Sequence, residues 1–190
     1  MSNLFEQRLN AILPRLLKED LLRGRGIGNE IGFYVFDYPP EQELVMRQRR
    51  SDIVRDITKQ RPDLRVADVN LFYFILDHLR ERGLLDLAIE KQRIHGDAAL
   101  RSALKGPLHP EKLAAAFAVK YPPENYDLAL LSGIGSAFPL IRSHSMLNNL
   151  HTKMDGTPLV MFYPGKYDGT SLQLFNILND ENYYRAFPLV

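Results

Sequence analysis

Two short runs, LALL within residues 127–133 and LVMF within 157–165, show no polar alternation. A strand with one face in water alternates apolar and polar residues, whereas an unbroken apolar strand is covered on both faces. Such strands need a layer above and a layer below, and the rest of the chain has to supply both. Three more β-rich runs occur: IGFYVFDY (31–38), VADVNLF (66–72) and YYRAFPLV (183–190). Helical segments separate all five. The pattern predicts an α/β fold with a mostly parallel five-stranded sheet and helices on both faces, joined by right-handed crossovers. The layering is that of Rossmann-like and P-loop-like proteins, without a Walker motif. A length of 190 residues fits one domain spanning 1–190.

Helical spacing of Leu4, Phe5, Leu9, Ile12, Leu13, Leu16 and Leu17 predicts an amphipathic helix over 3–22, with Pro14 kinking or splitting it. Pro39-Pro40 suits the first turn of a helix that runs to residue 60. Residues 76–120 read as a helical insert broken near Gly96-Asp97 and Gly106-Pro107. A helix is expected over 136–154, with Ser136 as N-cap and Pro139 in the first turn. A short helix is expected over 168–178.

Charge is uneven along the chain. From Asp127 to Val190 nine of 64 residues are charged, against 38 in the first 126. The C-terminal third therefore supplies core, or a surface that a partner covers. The formal net charge of +1 argues against a dedicated nucleic-acid or membrane-surface protein. The absence of cysteine excludes disulfides, thiol catalysis, iron–sulfur clusters and Cys-ligated zinc, and fits a cytoplasmic protein. The N-terminus lacks the apolar core of a secretory signal, and no apolar run approaches the roughly 18 residues of a membrane span.

In an open parallel sheet, ligands bind beyond the carboxyl ends of the strands. Three loops are expected there and can share one crevice: Asp37-Tyr38-Pro39, Ser132–Ser136 (SGIGS) and Tyr163–Thr170, which contains Pro164 and Gly165. SGIGS, with Gly133, Gly135 and Ser136, is the best anion-binding candidate, because it leaves a strand and opens a helix. It contains no lysine and matches neither GxxxxGK[ST] nor GxGxxG. Tight turning explains the same two glycines. The loop GRGIGNE, with Gly26, Gly28, Asn29 and Glu30, precedes its strand, so it belongs at the opposite sheet edge and reads as a turn. Asp37 is a strand-end acid that fits an acid–base role, a metal ligand or a turn former.

His144, Asn148 and His151 share one helical face, with the two histidines about 10 Å apart along the axis, too far for one metal. Arg142, Ser145 and Asn149 lie near another face. Ser143-His144 is poor geometry for a nucleophile and its base, and no GxSxG elbow exists. No metal and no cofactor is expected. Arg47, Arg49, Arg50, Arg55, Lys59 and Arg61 form the densest basic cluster, with the first four the candidates for nucleic-acid contact. Acids lie in the same stretch, so a solvated face laced with ion pairs competes with nucleic-acid contact.

Three segments together resemble a bacterial family: GIGNEIGFYVFDYPPEQEL (26–44), DLALLSGIGSAFPLIRSHSMLNNL (127–150), and TPLVMFYPGKYDGTSLQLF (157–175) followed by NYYRAFPLV (182–190). They are similar to BrxB, a component of BREX (bacteriophage exclusion) defence systems. The runs GSAFPLIRSHSMLNNLH and YYRAFPLV are the specific part. The resemblance implies a cytoplasmic protein of a multi-protein antiphage system that pairs a DNA methyltransferase with a large ATPase and the alkaline-phosphatase-like protein PglZ. The family has no established catalytic motif, so no catalytic residue carries over and no enzymatic activity is expected. The motif positions are Gly26, Gly28, Asn29, Glu30, Asp37, Gly133, Gly135, Ser136, Pro139, Arg142, Ser143, His144, Asn148, Asn149, Pro164, Gly165, Tyr183, Tyr184 and Arg185. An adaptor whose direct partner is PglZ is the role this suggests. A degenerate nucleotide-binding domain and a DNA-contacting subunit are the alternatives.

Overall fold

A computed structural model of the chain describes residues 2–23, 32–154, 156–180 and 186–190. Helices α1 (Ser2–Leu16) and α2 (Glu19–Leu22) come first, and Pro14 sits in the last turn of α1, where the expected break falls. Strand β1 (Phe33–Tyr38) leads through a 3₁₀ turn at Pro40–Gln42 into α3 (Glu43–Gln60). Strand β2 (Val66–Asn70) is followed by α4 (Leu71–Glu81), α5 (Leu85–Leu104) and α6 (Pro110–Lys120). Gly96 leaves helical geometry inside α5, at the expected break. After β3 (Leu128–Ser132) come α7 (Ile134–Ala137) and α8 (Ser143–His151). The chain closes with β4 (Leu159–Tyr167), β5 (Leu172–Leu174), β6 (Leu178–Asp180) and β7 (Phe187–Pro188).

The strand order is β2-β3-β4-β1-β7, and every neighbour along that path is parallel. Successive side chains of a strand point to opposite faces, and here both sets are apolar. Phe33, Val35, Ala129, Leu131, Leu159 and Met161 enter one core with residues of α4, α6 and α8. Tyr34, Phe36, Leu128, Leu130, Val160 and Phe162 enter the other, with Leu9, Ile12 and Leu16 of α1 and Met46, Ile53 and Ile57 of α3. This accounts for the unalternated runs. Each fully buried side chain of this size contributes about 1.5–3 kcal/mol of transfer free energy, so the two layers hold the sheet jointly.

Three expectations need correction. Residues 168–178 form no helix: β5 and β6 make an antiparallel hairpin that pairs with the extended end of β4, Gly165 opposite Leu174 and Tyr167 opposite Leu172. Phe175 and Asn176 take positive φ (56° and 61°) at its turn, and with the hairpin the sheet has seven strands among the described residues. Leu172 and Leu174 alternate about Gln173, and they pair with the open edge that β4 offers beyond its parallel neighbours. Second, 136–154 is not one helix. Phe138 is extended (ψ 138°), as a residue before proline prefers, and residues 138–142 separate α7 from α8. Third, Ser136 lies inside α7, Gly133 takes the N-cap position, and Pro139 belongs to neither helix. Among the described residues the last strand pairs at Phe187 and Pro188; residues 183–185 lie outside the described residues, as does the loop 24–30.

Candidate functional site

The three strand-end loops do converge, and the chain's own residues bridge them: Asp37 reaches Tyr167, and Phe175 and Pro164 lie against Gly135, with a small cleft left beside Ile134 and Tyr163. Asp37, near the end of β1, accepts a 2.5 Å hydrogen bond from the Arg8 guanidinium of α1 through Oδ1. Its Oδ2 accepts from the Tyr167 backbone N–H at 3.1 Å. Arg8 also lies 4.9 Å from the centre of the Phe36 ring. Asp37 thus ties α1, β1 and the end of β4 together. Tyr167 in turn donates its hydroxyl to the Ala186 carbonyl at 2.7 Å.

The glycines of SGIGS are explained by contact. Gly133 has φ +72°, and a Cβ there would sit 2.3 Å from the Asn70 Oδ1. A Cβ at Gly135 would sit 2.8 Å from the Phe175 ring and 3.1 Å from Pro164. Gly165 meets backbone instead: its Cβ would fall 2.1 Å from the Gln173 carbonyl oxygen. The hairpin therefore sits against both loops, with the Phe175 N–H bonded to the Pro164 carbonyl at 2.9 Å. The helix that SGIGS opens has only four residues.

Along α8, Arg142 holds the N-cap position with no side-chain capping bond and is exposed. Ser143 follows it and lines a small cleft. Asn149 donates to the Ser145 carbonyl at 2.8 Å, a local bond one turn back. His144 is half-buried, Asn148 is exposed, and His151 lies edge-on to Phe33 with ring centres 5.7 Å apart. Among the described residues no group of three or more His, Asp or Glu side chains is placed to hold a metal. Gly26, Gly28, Asn29, Glu30, Tyr183, Tyr184 and Arg185 lie outside the described residues.

The basic cluster on α3 is matched by acids. Arg47 bonds Glu43 at 2.8 Å, and that hydrogen bond raises its pKa; it also reaches the Ser136 hydroxyl at 3.5 Å. Arg49 bonds Asn10 at 3.1 Å and faces Glu6 at 3.9 Å. Arg50 pairs with Asp68 of β2, and Arg55 with Asp52 at 2.9 Å. Exposed pairs of this kind contribute roughly 0.2–1 kcal/mol each, but they leave little unpaired charge for a polyanion.

Two clefts went unread in the sequence. One, of about 80 Å³, opens between α7, the start of α8 and β6, with Arg142 and Ser143 beside Ile134, Tyr163 and Leu174. The other, of about 350 Å³, is a mostly apolar groove between α4, α5 and residues 136–140. Phe138 lines both. The groove wall from α5 includes Leu85, Ala88, Ile89, Leu100 and Leu104. The i, i+4 recurrence of Leu85 with Ile89 and of Leu100 with Leu104 was the available signal.

The fold and this edge define a three-layer α/β protein whose strand-end crevice is packed with its own hairpin and whose open clefts flank the link between α7 and α8. The family described as "BREX protein BrxB" matches residues 67–189. A BREX protein BrxB of Escherichia coli O9:H4 (strain HS) is 40% identical over 185 residues, covering 97% of this chain and 91% of the relative. Another, of Bacillus cereus (strain H3081.97), is 38% identical over 188 residues, covering 97% and 96%. The chain belongs to the BrxB family and is a BREX defence-system component. No solved structure matches it. Among the described residues no helix is long and apolar enough to cross a membrane.

Proposed function

We propose that this chain is a non-catalytic adaptor of a BREX system that holds other BREX proteins together, with PglZ as its direct partner. The observation that carries the reading is the engagement of the strand-end crevice in the fold itself. Asp37, the strand-end acid of β1, is bonded to Arg8 and to the Tyr167 backbone. The glycines of the candidate phosphate loop are pressed against Asn70, Phe175 and Pro164. An α/β protein whose usual ligand position is built into its packing has its outer surfaces left for contact with partners. Family membership supplies the setting for those partners.

The test is co-purification. The tagged chain, co-expressed with the other proteins of its own BREX system, is captured in mild salt. Recovery of PglZ in fixed ratio is the expected result. Capture of another BREX protein without PglZ would keep the adaptor role and remove the named partner. Capture of none would end the adaptor reading.

A further inference from the structure

Fourteen arginines lie among the described residues, and twelve have a hydrogen-bond or ion-pair acceptor within the chain. The two that have none among the described residues are Arg101 and Arg142. Both are exposed, and each borders one of the two clefts: Arg142 the smaller, Arg101 the apolar groove. The clefts adjoin at Phe138, which lines both, and an unpaired guanidinium borders each. Asp97 also lines the groove, with its carboxylate accepting from the Gln92 amide at 2.9 Å. Ile89 is 56% exposed at the groove wall, an apolar side chain in water that a partner would cover.

We infer that this surface docks an acidic, apolar-studded segment of another protein of the same BREX system. The apolar side chains of the segment fill the groove and the smaller cleft across Phe138, and its carboxylates pair with Arg101 and Arg142. The charge pattern carries the choice of occupant. An unpaired guanidinium seeks a planar, two-oxygen acceptor, and the walls between the two are apolar, which suits a peptide better than a sugar–phosphate backbone. The inference rests on the adaptor reading and names the chemistry of its partner.

Two arms test it in the full-length chain co-expressed with its BREX partners. In the first, Arg101→Glu with Arg142→Glu is compared with Arg55→Glu, a reversal on α3. The expected result is that the cleft variant captures at least about tenfold less partner, since like charges then meet, while Arg55→Glu captures as the parent does and all three melt alike. In the second, a benzophenone photo-crosslinker replaces Ile89, or Ile94 as a control of similar exposure (58%) that does not line the groove. Cross-linking from position 89 alone, to a partner peptide containing aspartate or glutamate, supports the inference. This arm keeps both arginines, so it decides the matter even if the double reversal fails to fold. If the parent captures partners and the double reversal captures them equally well, the docking surface is overturned and the adaptor reading stands. Cross-links to a second copy of this chain or to nucleic acid overturn it as well. If the parent captures nothing, both fall together.

Discussion

The side chain of Asn70 and the backbone of Gly133 occupy adjoining space. Asn70 Oδ1 accepts from the Phe72 and Tyr73 N–H groups at 3.1 and 3.2 Å, capping α4, and a Cβ on Gly133 would fall 2.3 Å from that same oxygen. The cap of one helix therefore depends on the absence of a side chain in a loop 63 positions away. Gly133→Ala is expected to destabilise by about 2–4 kcal/mol, combining left-handed strain with loss of the cap. Asn70→Ala alone is expected to cost about 1 kcal/mol. The double variant should cost less than the sum of the two, because Asn70→Ala removes the oxygen that the new Cβ at position 133 collides with. Urea unfolding of all four proteins checks this, and strict additivity would refute the coupling.

Gly165 and Gly156 make a matched comparison. At Gly165 a Cβ meets the Gln173 carbonyl at 2.1 Å, whereas at Gly156, with φ +79°, nothing lies within 4 Å. Gly156→Ala should lose only about 1–2 kcal/mol of left-handed strain. Gly165→Ala should lose more than about 3 kcal/mol, because backbone cannot step aside and the hairpin must unpair from β4. Equal midpoints in thermal unfolding would show that the hairpin is not held this way.

Asp37 is expected to be a structural residue. Asp37→Ala removes the acceptor of Arg8 and of the Tyr167 N–H, and should cost about 1.5–3 kcal/mol. Arg8→Met keeps an apolar stem near Phe36 and should cost less than Arg8→Ala. Unfolding midpoints that rank Arg8→Met with Arg8→Ala would show that the stem adds nothing.

Asp168 gives a pH prediction. Its carboxylate accepts from the Ser171 and Thr170 N–H groups at 2.7 and 2.8 Å and from both hydroxyls at 2.7 and 2.9 Å. The bonds from Ser171, and then those from Thr170, hold its pKa well below the ordinary 3.8. A folded pKa lower than the unfolded one stabilises at pH above the unfolded value, and that contribution fades as pH falls through the folded value. The stability gap between the parent and Asp168→Ala should therefore be constant from neutral pH down to about 4.5 and shrink below it. Carboxyl NMR titration reads the same shift directly, and a midpoint near 3.8 would refute it.

Arg142→Ala with Asn149→Ala should leave a cooperative melt within about 1 kcal/mol of the parent, since one side chain is exposed and the other bonds only one turn back. In a strain carrying the whole BREX system, the double variant should plate phage better than the parent. Unimpaired protection, or loss of the melt, would contradict this.

Much of the architecture was legible from sequence, for a local reason. LALL and LVMF carry in themselves the record of being covered on both faces, and β1 to β4 lie where the apolar runs predict. Pro14 marked the end of α1 because it lacks an N–H, and Gly96 marked a break because glycine alone takes its positive φ readily. The site was less legible. Asp37, Gly133, Gly135, Pro164 and Gly165 were recognisable as strand-end residues, but not as residues packed against Arg8, Asn70, Phe175 and Gln173. Asp37 and the Tyr167 N–H are 130 positions apart, and no periodicity encodes that separation.

By itself the sequence determined the layers, since burial on two faces demands apolar residues at every strand position. Only the tertiary structure decided that residues 172–180 form strands. Leu172 and Leu174 alternate about Gln173, but a three-residue alternation becomes a strand only where a ladder is offered, and β4 offers one from Gly165 to Tyr167. The same holds for the arginines, whose charge is written in the sequence. Which of them an acid neutralises depends on what the fold sets beside it, and that left Arg101 and Arg142 open at the two clefts.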